Sequence, residues 1–255
     1  MSATANPRRL YPVPMTSRLT NRSVDFFDQQ FARQIADRDF TLNPFEQAIL
    51  PFLLGDVLDL GCGLGNLAVA AARRGCRVTA LDASPAAIAH LARRVAQEEL
   101  PITAQEADLR SMTVTGEFDC VVAIGLLMFF ARELAQAGLA RIQDLVKPGG
   151  LVALNVLVEG TTFMDMFDPS GYYLFGENEL PEAFAAWTTE YLTLSSFPAA
   201  KDTVKRFCTL VARRPQAAAQ STTPTKHPNH RITLRSGARP RGDSKLESQI
   251  RTELF

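Results

Sequence analysis

The chain is short of the residues on which several kinds of protein depend. Of its three histidines, His227 and His230 fall in a polar C-terminal stretch, so His90 is the one imidazole in the part expected to fold. His227 and His230 are thereby poor candidates for catalysis. Four cysteines, Cys62, Cys76, Cys120 and Cys208, are scattered without a C-x-x-C pair, which argues against a disulfide framework and against a zinc site; no metal is expected. Lysine plus arginine and aspartate plus glutamate each number 27, so there is no surplus charge to draw nucleic acid or an anionic membrane. No apolar run reaches the roughly 18 residues of a membrane span, and the first twenty residues lack the apolar segment of a secretory signal. A cytoplasmic location without membrane contact is the resulting expectation. What remains, 255 residues with 46% hydrophobic side chains, is ample for one substantial core and one catalytic domain.

The densest information lies in Asp56 to Asn66, DVLDLGCGLGN. Val57, Leu58 and Leu60 give the continuous apolar run of a strand covered on both faces. Gly61, Gly63 and Gly65 then allow a tight turn and a close approach of backbone to ligand. A helix from about Leu64 to Arg74 follows, its amide-rich N-terminus aimed at the same place. The spacing is G-x-G-x-G, with Asn66 where a dinucleotide fingerprint has its third glycine. Asp59 beside the turn is a poor neighbour for two phosphates and a good one for a cationic ligand. The second strand, Cys76 to Leu81, ends in Asp82, at the distance from the glycines where a carboxylate accepts hydrogen bonds from ribose hydroxyls. Asp82 can also be read as part of the turn into the next helix, with Ser84 as N-cap and Pro85 at its first position. Cys62 reads as small packing, since no base accompanies it.

These residues resemble the class I S-adenosylmethionine-dependent methyltransferases, whose first motif is a hydrophobic strand followed by D-x-G-x-G-x-G. The motif stands here as Asp59, Gly61, Gly63 and Gly65. The resemblance implies that the glycine turn holds the methionine part of S-adenosylmethionine, Asp82 the ribose and Asp108, in EADL, the adenine amino group. Ala83 and Leu109 beside those carboxylates, with Ile124 and Gly125 at the end of the fourth strand, complete the implied cofactor set.

Strand and helix alternate through the middle of the chain. Strands are expected near 56–61, 76–81, 102–107, 118–124 and 150–158, with helices near 64–74, 85–99 and 131–146 between them, the signature of a doubly wound sheet. Pro148-Gly149-Gly150 reads as the stop before the fifth strand. A helix near 177–186 and two β-rich segments, 188–196 and 203–212, follow. The expected fold is therefore a Rossmann-like α/β sheet of seven strands, mostly parallel, with an antiparallel closing hairpin and helices on both faces.

Three regions are expected: a flexible N-terminal arm over 1–21, a methyltransferase domain with an N-terminal helical lid over 22–214, and a disordered polar tail over 215–255. The tail carries seven basic and three acidic residues and few large apolar groups. From Ser23, Val24, Phe27, Phe31 and Ile35 recur at helical spacing; core packing is the plainer reading of this stripe, a cover over the cofactor the functional one. The segment FTLNPF, Phe40 to Phe45, would then lie near the site.

Methyl transfer from a sulfonium is an in-line displacement that depends on orientation and exclusion of water. His90, on the helix after the second strand, reads as a surface residue. Asp165, Tyr172 and Tyr173, after the fifth strand, are candidate bases or orienting groups. The run Gly125 to Phe130, GLLMFF, with GYYLFGENEL and VKRFCTLVARR, is similar to the tellurite-resistance branch of the methyltransferases. That likeness implies a small-molecule acceptor such as a chalcogen oxyanion, with Arg206 matching an anion-handling arginine. A thiol or other small metabolite, or cofactor binding without catalysis, are the alternatives. The hairpin SSFPAAKDTVKRF departs from that branch in having no histidine. Met128 and Phe129 read equally as pocket wall or packing, and for Arg206 a strand-edge charge is the plainer reading. Monomer and homodimer both stay open.

Overall fold

The computed structural model describes residues 22–110 and 114–216. The arm expected over 1–21 and nearly all of the tail expected over 215–255 lie outside the described residues.

Seven strands form one sheet: β1 (Asp56–Leu60), β2 (Arg77–Asp82), β3 (Ile102–Glu106), β4 (Phe118–Ile124), β5 (Val146–Leu157), β6 (Thr188–Pro198) and β7 (Val204–Arg213). Their order is β3-β2-β1-β4-β5-β7-β6, parallel through β5 and antiparallel at the β5–β7 and β7–β6 pairings. This is the expected seven-stranded sheet with its closing hairpin. Alternation along the strands divides the core in two. In β4, Cys120 and Val122 face one side with Leu67, Ala68 and Ala71 of α3 (Asn66–Arg73) and Leu91 of α4 (Pro85–Glu98). Val121 and Ala123 face the other with Leu139, Ile142 and Leu145 of α5 (Arg132–Leu145). Neither core exists without the sheet between them, because period-two strands feed both.

Local signals set the helix starts. At α4 the Ser84 hydroxyl accepts from the Ala87 N–H at 3.1 Å and Pro85 occupies the first turn, as the sequence predicts. At α2 (Pro44–Ile49) Asn43 and Glu46 form a reciprocal capping box, the Asn43 N–H donating to Glu46 Oε2 at 2.8 Å. Two boundaries differ from the sequence reading. The fifth strand begins at Val146 rather than 150, running through Pro148-Gly149-Gly150 with a register irregularity opposite Phe118 and Cys120. Gly149, at φ +78°, marks that irregularity instead of a full stop. The late helix, α6 (Glu179–Ala183), is shorter than the expected 177–186.

The sheet order places a switch point between β1 and β4, where successive crossovers depart to opposite sides. Ligands of open α/β sheets bind at such a point, beyond the carboxyl ends of the strands. Ahead of β1, α1 (Arg22–Asp37) and α2 lie across that end.

Candidate active site

A cleft of about 560 Å³ opens at the switch point. From β1 and the turn after it come Asp59, Gly61, Gly63 and Leu64; from the end of β2, Asp82 and Ala83; from the segment after β3, Asp108 and Leu109; from the end of β4, Ile124 and Gly125. Sequence reasoning had selected all of these except Leu64 for a cofactor. Gly65 is the exception in the other direction. It stands off the wall, in left-handed conformation at φ +73°, as the residue before α3, and a Cβ there would lie 2.6 Å from both methyl carbons of Leu91. Its missing side chain makes room for a helix, not for a ligand. Gly61, at φ +74°, does face the cleft, and its N–H donates to the Leu81 carbonyl at 2.8 Å, fastening the turn to the end of β2.

Asp82 performs both roles that the sequence allows it. Oδ1 accepts the Ser84 N–H and Oδ2 the Gly63 N–H, each at 2.8 Å, so the carboxylate ties the glycine turn to the start of α4 while lining the cleft. Burial raises its pKa, and the two N–H donors offset part of that rise. Asp59 is 4% exposed. Burial first, and then the charges of Glu46 and Asp82, lift its pKa to about 8. Glu46, from α2, is lifted by burial to about 7 despite the stabilising Asn43 N–H. Asp108 is the opposite case: Arg110 grips it through Nε at 2.9 Å and Nη2 at 2.8 Å, and these hydrogen bonds hold its carboxyl below the usual range. Cys62 is buried, and desolvation with the Asp59 and Asp82 charges pushes its thiol up, away from any nucleophilic role.

Of the three carboxylates that burial raises, Asp59 and Glu46 move furthest and impose a pH dependence. Both bind a proton more tightly in the folded chain than in the unfolded chain, so their contribution to stability is complete below about pH 4 and is lost as pH rises through 7 and 8. Thermal unfolding of the ligand-free protein is accordingly expected to move to lower temperature between pH 5 and pH 9, as far as these groups set it. A differential scanning calorimetry series over that range, flat or rising where a fall is expected, would count against the desolvation of this pair.

Helix α1 supplies the outer wall. Val24, Phe27, Gln30, Phe31 and Gln34 line the cleft along one helical face, so the stripe that sequence spacing assigns more plainly to core packing covers the site instead. The Phe31 ring comes within 3.1 Å of where a Gly63 Cβ would stand. Phe27 meets Phe129 edge-on at 5.1 Å between ring centroids. Asp28 accepts the Ser84 hydroxyl, and Ser23 Oγ accepts the Asp168 N–H at 3.1 Å. Thr41, Leu42, Asn43 and Pro44 of the FTLNPF segment also line the cleft, whereas Phe45 enters the core against Phe207. Phe129 is a wall residue and Met128, with no exposure, is core.

The three residues expected to handle the acceptor are not brought to the cleft wall. Arg206 donates through Nη1 to the Glu159 carbonyl at 2.8 Å and through Nη2 to Glu177, which fixes it on the closing hairpin beside the end of β5. Asp165 is paired with Lys201 at 2.8 Å, and that bond holds its pKa down, the reverse of what a base needs. Tyr172 stacks on Phe167 at 4.8 Å, and Phe167 in turn lies 5.2 Å from Phe129, so one ring separates Tyr172 from the wall. Tyr173 gives its hydroxyl to Glu179 at 2.7 Å. His90 is 8% exposed rather than on the surface, its ring 4.9 Å from Phe40, and burial with Arg94 and Arg93 nearby lowers its pKa. Sequence reasoning missed Glu46, Gln30, Gln34 and Gln47. The cap pattern Asn43-Pro44-Phe45-Glu46 was available as a signal, but nothing local says that its glutamate faces a cleft.

The family profile described as "Methyltransferase domain" matches residues 57–150, the stretch from β1 to β5 that carries the cleft's glycines and acids. Over that stretch the chain is similar to methyltransferase domains. In sequence it is 30% identical over 132 residues to the probable S-adenosyl-L-methionine-dependent methyltransferase TehB of Haemophilus influenzae, covering 51% of this chain and 45% of that protein. It is 33% identical over 135 residues to a ubiquinone biosynthesis O-methyltransferase of Cereibacter sphaeroides, covering 52% of this chain and 51% of the other. The chain thus spans about half the length of each. In structure, TehB from Haemophilus influenzae superposes with a TM-score of 0.60 at 21% identity, over 75% of this chain and 67% of that one. The expected Rossmann-like fold, mostly parallel with a closing hairpin, is met. No helix among the described residues is long and apolar enough to cross a membrane.

Proposed function

We propose that this methyltransferase domain binds S-adenosylmethionine in the switch-point cleft and transfers its methyl group to a small molecule. The observation that carries the reading is the convergence of Asp59, Gly61, Gly63, Asp82, Ala83, Asp108, Leu109, Ile124 and Gly125 on one wall. The site fits the ligand on physical grounds: side-chain-free backbone at Gly61 and Gly63 beside closely approaching Leu126 and Phe31, and desolvated carboxylates whose raised pKa values mark a place that favours positive charge. Asp59 would hold the ammonium of the methionine part, Asp82 the ribose hydroxyls and Asp108 the adenine amino group. When bound, S-adenosylmethionine supplies an electrophilic methyl on sulfur. The chain's own part is to orient the acceptor against that carbon and to exclude water, and α1 with Phe27, Phe31 and Phe129 supplies the cover.

Formation of S-adenosylhomocysteine, read by mass spectrometry with a panel of amines, thiols, hydroxylated metabolites, tellurite and selenite, tests the reading. Calorimetric titration with S-adenosylmethionine separates binding from turnover. Binding without product from any class would favour a non-catalytic cofactor module, and no binding would overturn the proposal. Asp82→Ala is expected to weaken cofactor binding by roughly 30-fold or more, through lost ribose hydrogen bonds and a loosened glycine turn. An oxyanion acceptor draws little support from the cleft. Among the described residues of its wall Arg110 is the one cation, and Asp108 already holds it.

A further inference from the structure

We infer that the methyl acceptor is a protonated amine, whose ammonium is received by Glu46 beside the aromatic face of α1. The inference rests on the function proposed above and narrows it to a class of substrate.

Charge balance carries the argument. Asp59, Glu46 and Asp82 bring three carboxylates to one cleft, and the fourth, Asp108, is already matched by Arg110. S-adenosylmethionine brings a sulfonium and an ammonium but also a carboxylate, a net charge of one. Its two cations suffice for Asp59 and its own carboxylate, and Asp82 is stabilised by the Ser84 and Gly63 N–H groups. Glu46 is left over. One of its oxygens is occupied by the Asn43 N–H of the capping box, and burial raises its pKa. An anionic acceptor would add a further like charge to this group, whereas an ammonium would neutralise it.

The remaining wall agrees in chemistry. Phe27 and Phe31 are one turn apart on α1, their rings 6.1 Å between centroids, and Phe129 closes on Phe27. Aromatic faces attract a desolvated ammonium and also pack the apolar body attached to it. Gln30 and Gln34, again one turn apart, add amide groups to the same wall. Glu46 then has a second use. It takes a proton from the ammonium; the neutral nitrogen's lone pair forms the new N–C bond as the C–S bond breaks, and that bond's electron pair stays on sulfur to leave a thioether. Charge and atoms balance, with the product amine cationic and the proton on Glu46 passing to solvent.

The test compares three probes of one shape on the protein saturated with S-adenosylhomocysteine at pH 8: 2-phenylethylamine, 2-phenylethanol and 3-phenylpropanoate, titrated calorimetrically. The amine is expected to bind at least about tenfold more tightly than the alcohol, with the carboxylate weakest. In Glu46→Gln that preference should fall below about threefold while affinity for S-adenosylhomocysteine does not fall, and with S-adenosylmethionine the wild type should yield the N-methyl product by mass. Equal binding of amine and alcohol, tightest binding of the carboxylate, or no binding of any probe to protein that does bind S-adenosylhomocysteine would overturn the inference. A loss of S-adenosylhomocysteine affinity in Glu46→Gln would also overturn it, by assigning Glu46 to the cofactor. Failure of the wild type to bind S-adenosylhomocysteine at all would instead strike the function proposed above.

Discussion

Asp59→Asn is expected to make the ligand-free protein more stable and a worse binder. At pH 8.5 the wild-type carboxylate is forced towards ionisation in a site where burial and two neighbouring carboxylates oppose it. Asparagine has the shape of the protonated acid and carries no charge, so it removes that cost. The gain is on the order of 5 kcal/mol, or roughly 10–20 °C in melting temperature for a domain of this size. Below about pH 4 the gain should vanish, since the native carboxyl is then protonated in both states. Affinity for S-adenosylmethionine should meanwhile fall by about one to two decades as the ammonium loses its partner. Thermal scans at two pH values and one titration suffice. A variant that is destabilised at pH 8.5 would show that the Asp59 charge is compensated in the free protein, and the pH argument would go with it.

Gly65→Ala should be the most damaging small substitution in the glycine turn. The new Cβ would stand 2.6 Å from both methyl carbons of Leu91. Leu91 has no exposure and sits in the packed layer between α4 and α3, so its side chain has nowhere to swing. Left-handed backbone adds its own cost. Overpacking and strain together amount to about 3 kcal/mol or more. Gly75→Ala separates the two terms, because Gly75 is also left-handed, at φ +95°, but a Cβ there meets nothing within 4 Å. That change should cost about 1–2 kcal/mol. Chemical denaturation of the two variants measures the difference. Equal losses would mean that α4 yields and that the third glycine is needed for conformation alone.

Gly65 also illustrates what the sequence could and could not convey. A strand, a glycine turn and the acids at 59, 82 and 108 are local signals with fixed spacing, and the fold orders them on one wall. Which way each glycine faces depends on packing between α3 and α4, which no local pattern encodes. His90 shows a signal that was present and overlooked: Ala87, His90 and Leu91 share one face of α4, and all three are buried. Glu46 was legible as a cap and not as a cleft residue, because its second role depends on tertiary packing that sets α2 beside the cleft. Arg206 is the same case in reverse. Its strand was correctly expected, but the side chain's partners, Glu159 and Glu177, lie in a loop whose path is set by tertiary contacts.

The docking of α1 has a consequence for how the protein is made. Its anchors are Ser84, which lies 56 residues after Asp28, and Asp168, which lies 145 residues after Ser23. On a ribosome adding roughly 5–20 residues per second, the helix therefore waits on the order of 7–30 s after its own synthesis before its last partner is made. Contacts of such sequence separation form late. Until Gly63 and then Phe129 are made, Phe31 and Phe27 lack those partners, and the segment carrying them is the stretch of the nascent chain that a chaperone would meet.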